Sequence, residues 1–123
     1  ALEGVRVFGQ ISSTREIFAA ADFHLWTSTG VGEGFPTVLL EAARAGLVTV
    51  GVRGSGFDRM IVESGGRLCD ESADDISVTL QSPPTDAEIH QVASWSAAHS
   101  FEAWLEKYSR TLFDTGVATR AVR

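Results

Sequence analysis

Apolar residues recur along the chain in short bursts separated by glycine-rich or polar stretches, the rhythm of alternating strands and helices. Residues 5–9 (VRVFG) read as a short strand closed by glycine. Ser13 and Glu16 have capping-box spacing, and the run to Ala21 predicts a helix. Residues 23–28 (FHLWTS) are apolar or aromatic on both alternating faces, which predicts a strand buried on two sides. A glycine-rich loop over residues 29–34 follows. Pro36, at a first helical position, and Gly46, just past an end, bracket a helix over residues 36–45. Val48–Val52 is the third strand. The turn Gly54, Ser55, Gly56 leads into a short helix at Asp58–Glu63, and residues 66–69 form a fourth strand. A helix over residues 73–80 ends before Pro83 and Pro84. Thr85 and Glu88 make a second capping box, opening a helix to about His99. Residues 101–113 close the pattern as a helix, with Phe101, Trp104, Leu105, Tyr108 and Leu112 at the helical period.

Strands alternating with helices predict an α/β fold: a Rossmann-like parallel sheet with flanking helices, of about four strands and about six helices. Such sheets bind ligands beyond the carboxyl ends of their strands, where both glycine-rich loops fall. No repeat or long linker interrupts the pattern, and 123 residues suit one domain. With 44% hydrophobic and 21% charged residues, the composition excludes a disordered chain. Ten Lys and Arg against 16 Asp and Glu give a net charge of −6, which argues against nucleic acid and anionic lipid as partners. The single cysteine, Cys69, cannot form an intrachain disulfide and fits a reducing, cytoplasmic setting. No apolar run approaches the roughly 18 residues of a transmembrane segment, and no signal peptide is visible. The chain opens at Ala1 and turns apolar almost at once, as expected of a piece of something longer.

The residues with most chemical content are Glu33 to Glu41, EGFPTVLLE. Pro36 at a helix start would leave the amides of Thr37 and Val38 without intrahelical partners. Those donors and the helix dipole make an anion site, and Gly34 permits close backbone approach. Thr37, Glu41 and Arg44 share one helical face, while Val38, Leu39, Ala42 and Ala43 form the apolar one. A carboxylate beside an anion site suits a ligand that also carries hydroxyls, because an ionised carboxylate only accepts hydrogen bonds. A nucleotide-sugar has that chemistry. A plainer account stands beside it: Glu33 caps nearby amides, and Glu41 pairs with Arg44 on a solvated face.

The stretch resembles the E-x7-E motif of retaining GT-B glycosyltransferases of family four, the glycogen-synthase-like and mannosyltransferase group. The likeness runs through residues 5–9, residues 19–28, Glu33 to Pro36, Leu40 to Ala42, Gly46 to Val48, the Ser55–Gly56 turn, Gly65 to Leu68, and Ser100, Phe101 and Tyr108. It implies a hexosyl transfer from a UDP- or GDP-linked sugar with retention, and neither cofactor nor metal. By that resemblance Glu33 is the catalytic-site acid, accepting hydroxyls of the transferred sugar. Gly34, Phe35 and Thr37 offer amides to sugar and diphosphate, and Glu41 holds the ribose hydroxyls. Gly9, Gln10 and Ile11 lie against the base. The chain then corresponds to the latter part of the C-terminal, donor-binding domain. The N-terminal acceptor domain and the first donor-domain βα units, with their basic diphosphate clamp, are absent from it. On that reading the chain is inactive alone, and the missing domain or another copy completes it, as a homo-oligomer. In the full-length enzyme it would be cytoplasmic, peripheral to the inner face of the membrane. The alternative is a non-catalytic nucleotide-sugar-binding or assembly module on the same fold. An unrelated flavodoxin-like signalling domain would want an acid cluster at its first strand ends, and none is seen.

The sequence departs from the family pattern at Thr27, at Val48 where a proline is usual, and at Arg59 where an acid is common. Other conspicuous residues take structural readings: His24 and Trp26 as core, Trp95 and Trp104 as packing anchors, Cys69 as a small apolar residue. Asp70, Glu71, Asp74 and Asp75 read as a solvated helix start.

Overall fold

A computed structural model describes residues 3–28 and 34–114. Three strands, β1 (Phe23–Trp26), β2 (Val48–Val52) and β3 (Arg67–Cys69), form a parallel sheet in the order β1-β2-β3. Phe23 aligns with Val48, and Val50 with Arg67. Among the described residues six helices accompany the sheet: α1 (Arg15–Ala19), α2 (Thr37–Arg44), α3 (Asp58–Glu63), α4 (Ala73–Gln81), α5 (Asp86–Ala98) and α6 (Phe101–Asp114). The α/β class and Rossmann-like architecture are as the sequence predicts.

The central strand β2 is buried throughout, and α2, α3, α4 and α5 pack on it. Val48 meets Ala43 of α2 and Val92 and Trp95 of α5. Trp26 packs with Leu39 and Ile61, and Cys69 with Val50 and Val52. Trp26 and Trp95 are thus core, and Cys69 is a small apolar residue, as expected. His24 is half-buried with Nδ1 3.3 Å from Thr49 Oγ1, and burial lowers its pKa.

The local signals account for most boundaries. Gly46, at φ +82°, ends α2 in a Schellman turn, its N–H on the Ala43 carbonyl and that of Leu47 on the Ala42 carbonyl, both at 3.0 Å. The Thr85–Glu88 capping box at the start of α5 is complete. Gly66 is dictated by packing: a Cβ there would lie 2.5 Å from the Thr49 carbonyl oxygen and 2.8 Å from that of Ile61.

Four expectations are corrected. Residues 5–9 are not a strand: they form no ladder with the open edge of β1, and Val7 is 90% exposed. Strand β1 stops at Trp26, and Leu25 is 42% exposed, since β1 is an outer strand with β2 on one side only. The Ser13–Glu16 capping box does not form: α1 starts one residue later, with Thr14 as its N-cap and no side-chain cap. Trp104 is not a buried anchor. With Phe101, Leu105 and Tyr108 it lies on an exposed face of α6, which touches the rest of the chain only lightly.

Candidate functional site

Helix α2 carries the candidate residues. Its apolar residues Leu39, Ala42 and Ala43 are buried, which turns Thr37, Glu41 and Arg44 outward. Pro36 is the N-cap, one position earlier than predicted, with φ −77° and ψ 95°. Its carbonyl accepts from the Leu39 amide at 3.1 Å. The amides of Thr37 and Val38 precede any intrahelical partner, and among the described residues they have no backbone acceptor.

Glu41 lies on the rim of an open groove of about 680 Å³ between α1 and α2. Thr14 Oγ1 donates to Glu41 Oε2 at 3.3 Å. Ser13, Arg15, Phe18 and Arg44 line the same groove. Glu41 and Arg44 make no ion pair, so the plainer account of Glu41 as one half of a surface salt bridge loses its partner.

Gln10 and Ile11 line a second, shallow groove of about 450 Å³. Ser13 is a wall of both grooves, which makes them neighbours. Gly9, at φ +66°, turns the chain just before it. The structure therefore brings Gln10, Ile11 and Glu41 to one region across 30 residues of sequence.

Phe35 goes elsewhere. It is 54% exposed and lines a hollow of about 560 Å³ with Leu40, His99, Phe101 and Trp104. Gly34 and Thr37 are exposed at the start of α2. Glu33 lies outside the described residues.

The cleft at the strand ends, between Ser28, Arg53, Ser55 and Glu71, measures only about 80 Å³. The Gly54–Gly56 turn beside it is held by Asp58, whose carboxylate accepts from the Gly54 amide at 2.9 and 3.1 Å. That bond lowers the Asp58 pKa. The acid that stabilises this turn therefore stands one residue before Arg59.

Residues 1–82 match the family model for glycosyl transferases, group 1. The chain belongs to this family. No curated protein and no solved structure gives a significant match. In this group 1 glycosyl transferase the matched span includes all three strands, α2 and both grooves beside α1, and it stops before α5 and α6. Glycosyl transfer is thus the chemistry of the family to which the α2 site belongs. Among the described residues, no helix is long and apolar enough to cross a membrane, and no cluster of His, Cys, Asp or Glu has the makings of a metal site.

Sequence reasoning missed Thr14 and Arg15 as groove residues. Ser13 and Glu16 drew attention through their capping spacing, but only the packing of α1 beside α2 makes their neighbours a wall. Arg44 was visible as the third member of the Thr37–Glu41 face.

Proposed function

We propose that the chain is the donor-binding part of a retaining GT-B glycosyltransferase of family four, acting on a UDP- or GDP-linked hexose. The observation that supports this best is Glu41: exposed, bonded among the described residues through the Thr14 hydroxyl alone, and facing a groove that adjoins Gln10 and Ile11. A carboxylate so placed accepts hydrogen bonds from a vicinal diol such as ribose. The base lies against Gly9, Gln10 and Ile11, and the diphosphate runs toward the first-turn amides of Thr37 and Val38. Gly34 and Phe35 border the sugar, and Glu33 accepts its hydroxyls. In the reaction, the bond from the sugar's anomeric carbon to the diphosphate oxygen breaks. The acceptor oxygen attacks from the same face, and its proton passes to the departing diphosphate. This chain binds and orients the donor, and turnover needs the acceptor domain.

The second reading, an assembly module, draws support from the exposed aromatic row of α6, where Phe101, Trp104 and Tyr108 stack at 5.9 and 5.1 Å. NMR titration of the chain with UDP and GDP separates the two. Donor binding predicts shifts at Gln10, Ile11, Ser13 and Glu41 with a Kd of about 1 mM or weaker, about −4 kcal/mol. Glu41→Ala abolishes those shifts. Absence of any shift for the wild-type chain overturns the proposal in favour of the assembly module.

A further inference from the structure

Helix α1 is held lightly. It has five residues, none of them buried, and no side chain caps its start. Its half-buried residues are Ile17 and Phe18. The Phe18 ring lies 6.1 Å from the imidazole of His24 on β1, tilted by 60°. At the start of the helix Thr14 bonds Glu41. Segments with so few buried contacts open at the lowest cost.

His24 gives the Phe18 contact a chemistry. It is half-buried among the Phe18 ring, the Trp26 ring at 6.4 Å and Thr49, whose Oγ1 is 3.3 Å from Nδ1. Thr49 is itself buried. A hydroxyl both donates and accepts, so this bond survives protonation of the ring. What a charge loses here is the water around it. The charged groups on the neighbouring elements are Arg15 and Glu16 of α1, Asp22 just before β1, and Glu41 and Arg44 of α2; β2 has none. None of them offsets the burial, which is the one cause of the lowered His24 pKa.

Of the elements around the imidazole, α1 is the one that can leave without breaking the sheet, and its departure gives the ring back to water. We propose that protonation of His24 releases Phe18, so that α1 swings off the sheet and takes the Thr14 wall away from Glu41. With α1 in place the imidazole binds a proton less tightly than with α1 away. The docked state is therefore fully favoured above the ordinary histidine value of 6.5 and loses ground as pH falls below it. The groove between α1 and α2 is walled at neutral pH and open on the α1 side in mild acid. The coupling belongs to α1 and β1 and is independent of the ligand in the groove.

NMR of the full chain from about pH 7.5 to about pH 5 tests it. The wild-type His24 ring should titrate below 6.5. With the same midpoint, the Phe18–His24 ring contact should disappear and the Thr14, Ile17 and Phe18 signals should move toward unfolded values. The signals of Val92 and Trp95 in α5 should stay native. His24→Gln, which does not titrate but can still bond Thr49, should hold α1 in place across the whole range. Phe18→Ala gives the reciprocal measurement with His24 intact: α1 is released at every pH, and the His24 pKa rises toward 6.5. A His24 that titrates at or above 6.5 in wild type overturns the proposal. So do α1 signals that ignore the titration, or that respond equally in His24→Gln. Loss of the α5 signals in the same window overturns it too, since that marks unfolding of the whole chain. An unchanged His24 pKa in Phe18→Ala shows that α1 does not cover the ring, and overturns it as well.

Discussion

Arg67 and Glu88 form the most heavily bonded pair among the described residues. Arg67 Nε and Nη2 donate to Glu88 at 2.6 and 2.7 Å, and its Nη groups also reach the carbonyls of Thr79, Ser82 and Pro83. The guanidinium lies 5.1 Å over the Phe23 ring, so one side chain joins β1, β3, α4 and α5. Both partners are mostly buried, with side-chain exposures of 17% and 23%. Removing one leaves the other's charge and several carbonyls without partners, and Arg67→Ala is expected to cost about 3 kcal/mol in urea unfolding. The bond from Arg67 depresses the Glu88 pKa from 4.5 to about 2. The folded carboxyl thus holds its proton less tightly than the unfolded one. Its contribution is complete above about pH 4.5 and disappears as pH falls toward 2. At 1.36 kcal/mol per unit this amounts to about 3 kcal/mol. Unfolding followed across that window should show a slope in wild type that Glu88→Gln flattens. An equal slope in both would remove Glu88 as its source.

At the scale of elements, two capping boxes of equal appearance in the sequence have opposite fates. Thr85 Oγ1 accepts from the Glu88 amide at 3.2 Å, and Glu88 accepts from the Thr85 amide at 2.7 Å. Ser13 accepts from the Arg15 amide at 3.3 Å, which serves a turn and not the helix. The difference follows from what each helix packs on. Helix α5 has 13 residues and buries Val92 and Trp95, whereas α1 has five residues and buries none. Tertiary contact stabilises the frame in which a cap is useful. Thr85→Ala should therefore lower stability by about 1 kcal/mol, and Ser13→Ala by no more than a few tenths. Thermal unfolding of the two variants side by side measures the contrast, and equal effects would contradict it.

For the molecule as a whole, β1 leaves one edge of the sheet without a neighbour among the described residues, and Val5, Val7 and Phe8 are exposed. Unpaired parallel edges and free segments of strand-forming sequence favour association. A second apolar surface, the aromatic row of α6, acts in the same direction. Sedimentation at micromolar concentration is expected to show a species larger than a monomer. Val7→Lys, placed in the free segment, should shift it toward the monomer. A monomer in wild type would show that these surfaces stay solvated at that concentration.

Reading the chain alone was enough for whatever depends on neighbours in sequence. The β2 and α3 boundaries, the α2 stop at Gly46 and the α5 start at Thr85 all rest on local backbone chemistry. Glu41 and Arg44 could be placed on one face because a helix has a fixed period. The family likeness likewise came from residues in order along the chain. Contacts between distant segments were beyond such reasoning. Residues 5–9 have a strand's composition, but a strand exists only where the segment lies along an edge and bonds it, and these residues do not bond the open edge of β1. The α6 period marks an apolar face without naming what covers it. Thr14 meets Glu41 across 27 residues, and Phe35 lines a different hollow from Glu41 six residues away. Both depend on where α1 and α6 come to rest beside α2, which residues adjacent in sequence do not determine.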